Sequence, residues 1–220
     1  MLYNKKAIIF DLDGSLVDSM WLWHDIDVEF LGARGISLPE DYQKEIEGMS
    51  FTETAVYSIE RFSLSESVDE LKGIWNGMAM HKYAHEVDFK PGARQFLAYC
   101  RKEGLKMGIA TSNSKELVQA VSDALGLEQY IDVIVTSCDV NRGKPAPDVY
   151  LEAARRLSVE PEDCLVFEDV PAGIMAGKNA RMTVCAVEDA FSSKYKEEKC
   201  ALADYYITDY REILEAEVRI

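Results

Sequence analysis

The stretch Ala7-Ile8-Ile9-Phe10-Asp11-Leu12-Asp13-Gly14 constrains the fold of this chain more than any other. Four apolar residues in succession, without polar alternation, read as a strand buried on both faces. Such a strand needs neighbours on both edges and helices above and below, the environment of a parallel sheet. At its downstream end it delivers two carboxylates, Asp11 and Asp13. Continued extension would point both acids to the same side, roughly 7 Å apart at Cα. Like charges held that close need a cation between them, or one must take up a proton. Gly14 then lets the chain turn out of the strand.

The remainder supplies the neighbours. Between Ser19 and about Glu86 the pattern is helical: Trp21, Ile26, Phe30 and Leu31 recur at helical spacing, and further helices are predicted over Asp41 to about Glu47, Phe51 to about Phe62 and Val68 to about His85. No strand interrupts them. After Pro91-Gly92, helix and strand alternate: helix from Ala93 to about Glu103, strand over Leu105 to Ala110, helix from Lys115 to Leu125, strand over Val133 to Val135. Helix Val149 to Leu157 leads to strand Cys164 to Phe167, and helix Gly173 to Ala180 to strand Met182 to Val187. Tyr205 to Ile207 reads as a sixth strand and Asp209 to Glu217 as a closing helix. This is an α/β class chain, a doubly wound parallel sheet with helices on both faces. Residues 1–18 and 87–220 form its core domain, and 19–86 a helical cap domain that is expected to act as a lid.

Net charge is −15 over 220 residues, with 48% hydrophobic and 29% charged side chains. That composition suits a soluble globular protein and repels phosphate backbones, so no nucleic-acid partner is expected. A small anionic ligand would need a locally positive pocket or a metal. The five cysteines are odd in number, widely spread and contain no Cys-x-x-Cys, which argues against a disulfide framework and a zinc site. Cys164 and Cys185, inside apolar runs, read as core residues. Lys5-Lys6 runs straight into the first strand, with no apolar segment long enough for a signal peptide or a membrane span. The expectation is a cytoplasmic monomer with no membrane contact.

In an open parallel sheet, ligands bind outside the carboxyl ends of the strands, where strand order reverses. Four predicted strands end in reactive groups: Asp11/Asp13, Ser112/Asn113, Lys144 in the loop that follows the third, and Glu168/Asp169. Asn113 and Glu116 have capping-box spacing, and a helix N-terminus with free amides plus the Ser112 hydroxyl also suits a phosphate, so Ser112 and Asn113 are both expected at the phosphate. Lys144 lies in Gly143-Lys144-Pro145-Ala146-Pro147, stiffened by two prolines, and can offset charge gathered near Asp11. Glu168 and Asp169 offer the hard oxygens that Mg²⁺ prefers. His24, His81 and His85 all fall in the helical insert and read as surface or packing residues.

Phe10-Asp11-Leu12-Asp13-Gly14, Ala110-Thr111-Ser112-Asn113, Gly143-Lys144-Pro145 and Phe167-Glu168-Asp169 resemble, in order and spacing, the four motifs of the haloacid dehalogenase-like hydrolases. A helical insert directly after the first motif is similar to the β-phosphoglucomutase-like subfamily with a small cap. The resemblance implies a Rossmann-like core. It implies Asp11 as nucleophile, Asp13 as acid/base, Ser112 and Lys144 as phosphate contacts, and Asp169 as a metal ligand beside Glu168. Asp11 would also bind the metal by its carboxylate and Asp13 by its main-chain carbonyl. The activity implied is Mg²⁺-dependent hydrolysis of a small phosphorylated metabolite, a sugar or polyol phosphate, through an aspartyl phosphate. The alternatives are a sugar phosphomutase and a non-catalytic phosphometabolite-binding protein.

Some positions depart from the pattern. Phe51 follows Gly48-Met49-Ser50 where the mutase branch commonly has arginine, and Trp23 replaces a frequent histidine. Both favour a phosphatase over a mutase. Arg181 stands in a turn that usually contains glycine, which predicts a different backbone conformation there.

Overall fold

The computed structural model describes residues 1–46 and 51–217. In chain order the elements are β1 (Ala7–Phe10), β2 (Val17–Asp18), α1 (Trp21–Gly32), α2 (Tyr42–Glu45), α3 (Phe51–Phe62), α4 (Val68–His85), β3 (Asp88–Phe89), α5 (Ala93–Lys102) and β4 (Lys106–Ala110). There follow α6 (Lys115–Leu125), β5 (Val133–Val135), α7 (Asp148–Leu157), β6 (Cys164–Glu168), α8 (Pro171–Asn179), β7 (Thr183–Val187), α9 (Lys196–Leu202), β8 (Tyr205–Ile207) and α10 (Arg211–Glu217). The chain divides into two compact units, Met1–Ser19 with Val87–Ile220, and Met20–Glu86.

The first unit is a six-stranded sheet of order β5-β4-β1-β6-β7-β8, parallel throughout. The strand that comes first in sequence is thus central, and strand order reverses around it. All four residues of β1 are fully buried, as a strand with helices on both faces requires. Ala7 and Ile9 pack with Val166, Val184, Ile174 and Tyr150 on one face. On the other, Phe10 stacks on Phe167 at 5.4 Å between ring centroids, and both meet Phe96 and Tyr210. Strand alternation sends neighbouring residues to these two cores, so the end of β1 is gripped from above and below.

The second unit buries Leu22, Ile26, Phe30 and Leu31 of α1 and Leu71, Trp75, Ala79 and Tyr83 of α4. Phe30 meets Trp75 edge-on at 6.0 Å. The start of α4 is fixed by a capping box, in which Ser67 and Glu70 each satisfy the other's backbone amide. No helix among the described residues is long and apolar enough to cross a membrane.

The structure departs from the sequence expectations in several places. Extension does not continue through Asp13: β1 ends at Phe10, and the amides of Leu16 and Val17 turn back onto the Leu12 carbonyl. β2 and β3 form an unpredicted two-stranded antiparallel ribbon, Val17 opposite Phe89 and Asp18 opposite Asp88. Helix α9 is likewise unpredicted, and α10 begins at Arg211, not Asp209. Arg181 adopts φ 62°, the left-handed conformation a glycine would take, so the turn keeps its form with an arginine in it. Glu47 and the Gly48-Met49-Ser50 turn lie outside the described residues.

Candidate active site

The carboxyl ends of β1, β4 and β6 and the loop before α7 bring the polar residues together. Asp11 follows β1 directly; its amide donates to the Phe167 carbonyl of β6 at 2.9 Å, which fixes it beside Glu168. Gly14 takes φ 76° to turn the chain away. Lys144 reaches across from the proline-bounded loop, and its Nζ donates to Asp11 Oδ1 at 2.5 Å and to Glu168 Oε1 at 2.6 Å. All three side chains are buried, that of Glu168 completely.

Asp11, Glu168 and Asp169 place carboxylate oxygens within 4.8 Å of one another. Lys144 is the cation that the cluster's hydrogen bonds and ion pairs supply, and Asp169 Oδ2 is buried with no hydrogen-bond partner among the described residues. Three ionised acids against one ammonium leave an excess of two negative charges. Burial pushes the Asp11 carboxyl up to about 8, with Lys144 opposing and Glu168 and Asp13 adding to the rise. Burial likewise holds Asp169 well above the usual carboxylate range, with Glu168 and Asp11 adding to it. Burial alone would lower Lys144; Asp11 and Glu168 outweigh it and keep the ammonium charged. A dication with hard-oxygen preference fits this donor set, its charge and its orphaned oxygen.

Glu168 is less available than the sequence suggests. Its Oε1 accepts from Lys144 and from the Tyr150 hydroxyl at 2.7 Å, and its Oε2 from the amides of Asp169 at 3.0 Å and Val170 at 3.4 Å. Both oxygens are engaged, so Glu168 anchors Lys144 more readily than it ligates a metal. Gly173, in the first turn of α8, lies against this carboxylate, and a Cβ there would overlap it.

Asp13 points elsewhere. Its carboxylate accepts from Ser19 Oγ at 2.6 Å and from Asn113 Nδ2 at 3.1 Å, and it is not among the described acids clustered for a metal. The Asn113 side chain, expected at a phosphate, is therefore turned to the acid. The helix cap expected at Asn113 falls one residue on: Ser114 is the N-cap of α6 and accepts from the Leu117 amide. Ser112 is exposed at the end of β4. Tyr150, Gly173 and Ser19 escaped the sequence reading. For Gly173 a signal existed, because glycine in a helical first turn five residues after a buried acid has no helix-forming reason to be there.

The sequence matches a family described as haloacid dehalogenase-like hydrolase over residues 8–187. It is 34% identical over 185 residues to hexitol phosphatase A of Escherichia coli, covering 83% of this chain and 82% of that one. It is 32% identical over 184 residues, 83% of this chain, to the bifunctional riboflavin kinase/FMN phosphatase of Arabidopsis thaliana, and spans 48% of that longer protein. The fold is similar to a crystal structure of a Thermotoga maritima protein named after β-phosphoglucomutase, with TM-score 0.79 and 28% identity, covering 92% of this chain and 94% of the other.

Proposed function

The chain belongs to the haloacid dehalogenase-like hydrolases, and on that premise we propose that it is a Mg²⁺-dependent phosphatase of a small phosphorylated sugar or polyol, working through an aspartyl phosphate. The observation that carries the proposal is the buried Asp11–Lys144–Glu168 bridge beside an Asp169 oxygen with no partner among the described residues. Such an arrangement is costly for stability alone and useful at a phosphoryl group. Likeness to a hexitol phosphatase supports the substrate class.

Asp11 attacks phosphorus, a bond forms from its carboxylate oxygen, and the bond to the leaving alkoxide breaks. Asp13 gives the alkoxide a proton, then takes one from the water that attacks the aspartyl phosphate and releases phosphate. Lys144 offsets negative charge between Asp11 and the transferred group, and Ser112 with the amide end of α6 receives phosphate oxygens. Mg²⁺, when held by the carboxylates of Asp11 and Asp169 and the main-chain carbonyl of Asp13, supplies positive charge against the phosphate oxygens.

The test is a hydrolysis screen over phosphorylated sugars, polyols and nucleotides with Mg²⁺, alongside Asp11→Asn. The expected result is turnover concentrated on sugar or polyol phosphates and abolished in a folded Asp11→Asn. Phosphate release at the wild-type rate by that variant overturns the nucleophile assignment. Isomerisation of a hexose phosphate, stimulated by a bisphosphate and outrunning hydrolysis, overturns the hydrolase in favour of a mutase.

A further inference from the structure

Tyr150 is fully buried within the α/β core, yet it carries a hydroxyl, and that hydroxyl is aimed at the site. It donates to the same Glu168 oxygen that accepts Lys144, at 2.7 Å beside 2.6 Å. The face of its ring lies 5.1 Å from Lys144 Nζ, within cation–π range. One side chain thus touches both the lysine and the acid competing with Asp11 for that lysine.

An ammonium shared between two carboxylates sits centrally only while both pull about equally, and here it lies 2.5 Å from Asp11 and 2.6 Å from Glu168. Glu168 is moderated by three other donors, the Tyr150 hydroxyl and two backbone amides, each of which draws charge from it. Of these, only the hydroxyl shares the lysine's oxygen. Without it, Glu168 would draw Lys144 over and away from Asp11. We infer that Tyr150 is a positioning residue that sets the share of Lys144 between Glu168 and Asp11, so that the ammonium stays available to the transferring phosphoryl group. This rests on the phosphatase reading and deepens it.

The hydroxyl and the ring separate experimentally. Tyr150→Phe keeps the ring face and the core packing and removes only the oxygen; Tyr150→Leu removes both. Four quantities are compared in each protein: kcat and KM on the best ester of the screen, and affinity for vanadate and for inorganic phosphate by calorimetry. Vanadate mimics the five-coordinate transition state and phosphate the ground state. In Tyr150→Phe, kcat is expected to fall roughly tenfold, the scale of one hydrogen bond to a charged group. Vanadate should weaken by a similar factor, with KM and phosphate affinity near wild type and the melting temperature lower by only the several degrees that one buried hydrogen bond supplies. Tyr150→Leu should lose more.

Wild-type kcat and vanadate affinity in Tyr150→Phe would overturn the inference, leaving a tyrosine that only packs. So would a loss matched by a lower folded fraction with unchanged affinity per folded molecule. Failure of the parent reading looks different: a wild-type protein that neither hydrolyses esters nor binds vanadate removes both claims. An inactive Asp11→Asn beside an unaltered Tyr150→Phe removes only this one.

Discussion

Gly173→Ala sets two physical arguments against each other with opposite signs. Gly173 is in the third position of α8, a regular helix over Pro171–Asn179. On helix propensity alone, alanine should stabilise by about 1 kcal/mol, chiefly by reducing the freedom of the unfolded chain. The tertiary structure argues the reverse, because the added methyl would overlap the carboxylate of Glu168. That carboxylate cannot swing aside freely: four donors hold it, and it is wholly buried. Displacing Oε1 breaks the bonds from Lys144 and Tyr150, at about 1.5–3 kcal/mol for each hydrogen bond to a charged group. It also leaves a buried tyrosyl hydroxyl unpaired.

Against a gain of about 1 kcal/mol, a loss of about 3–6 leaves a net destabilisation on the order of 2–5 kcal/mol. At about 2–4 °C per kcal/mol for a chain of this size, the core transition should fall on the order of 10 °C. Scanning calorimetry measures it. Tryptophan fluorescence supplies a control, since Trp21, Trp23 and Trp75 all lie in the helical unit. Turnover should fall at least roughly tenfold as Lys144 loses its anchor. A melting temperature that rises, with kcat unchanged, would refute the reasoning and show that Glu168 has room to move.

The other expectations concern charge. Asp27, buried in the helical unit with Gln43 donating to it at 2.7 Å, is pushed up to about 6 by burial. A carboxyl raised on folding stabilises fully at low pH and loses that contribution as pH rises through about 6, on the order of 3 kcal/mol by pH 8. Asp27→Asn should therefore melt higher than wild type at pH 8, with the gap closing near pH 4; a constant gap across that range would count against it. Because burial raises Asp11 and Asp169, ion-free protein should lose stability as pH climbs through about 8, and Mg²⁺ should raise the melting temperature more at pH 8 than at pH 6. Asp169→Asn should abolish that increment; a pH-independent increment would contradict the acidic site. Asn113→Ala should lower kcat roughly tenfold through Asp13 while leaving phosphate inhibition unchanged. A weakened phosphate affinity with kcat intact would return Asn113 to the phosphate.

Which features were legible follows from how local their causes are. The run Ala7–Phe10 announced a doubly buried strand because burial on both faces writes itself as an unbroken apolar word. Lys144, Glu168 and Asp169 could be placed at one rim because strands end where their apolar runs end. Other features depend on distant partners. The two-residue strands β2 and β3 are too short to carry any periodicity. Helix α9, beginning Lys-Glu-Glu-Lys, has too few apolar residues to show a stripe, although Lys199 is buried by donating to the Val187 carbonyl and Ser192. Tyr150 lies inside the predicted helix Val149 to Leu157 with nothing local to single it out; that its oxygen meets Glu168 depends on β6 and α7 packing together. Asn113 looked like a cap because Ser114 does the same work one position later.

The ribbon of β2 and β3 has a bearing on how such a chain can be altered. Outgoing and returning strands are paired rung for rung at Val17 with Phe89 and Asp18 with Asp88, and the Lys90 amide adds a bond to the Leu16 carbonyl. Everything from Met20 to Glu86 is inserted, as a cassette, between the two strands of that neck. Joining Ser19 directly to Val87 would leave a hairpin with a two-residue loop and its rungs in register, and a longer splice would cost only the slow logarithm of its added length. A neck of this kind lets the inserted segment be exchanged wholesale while the strands that carry Asp11 and Asp169 stay in place.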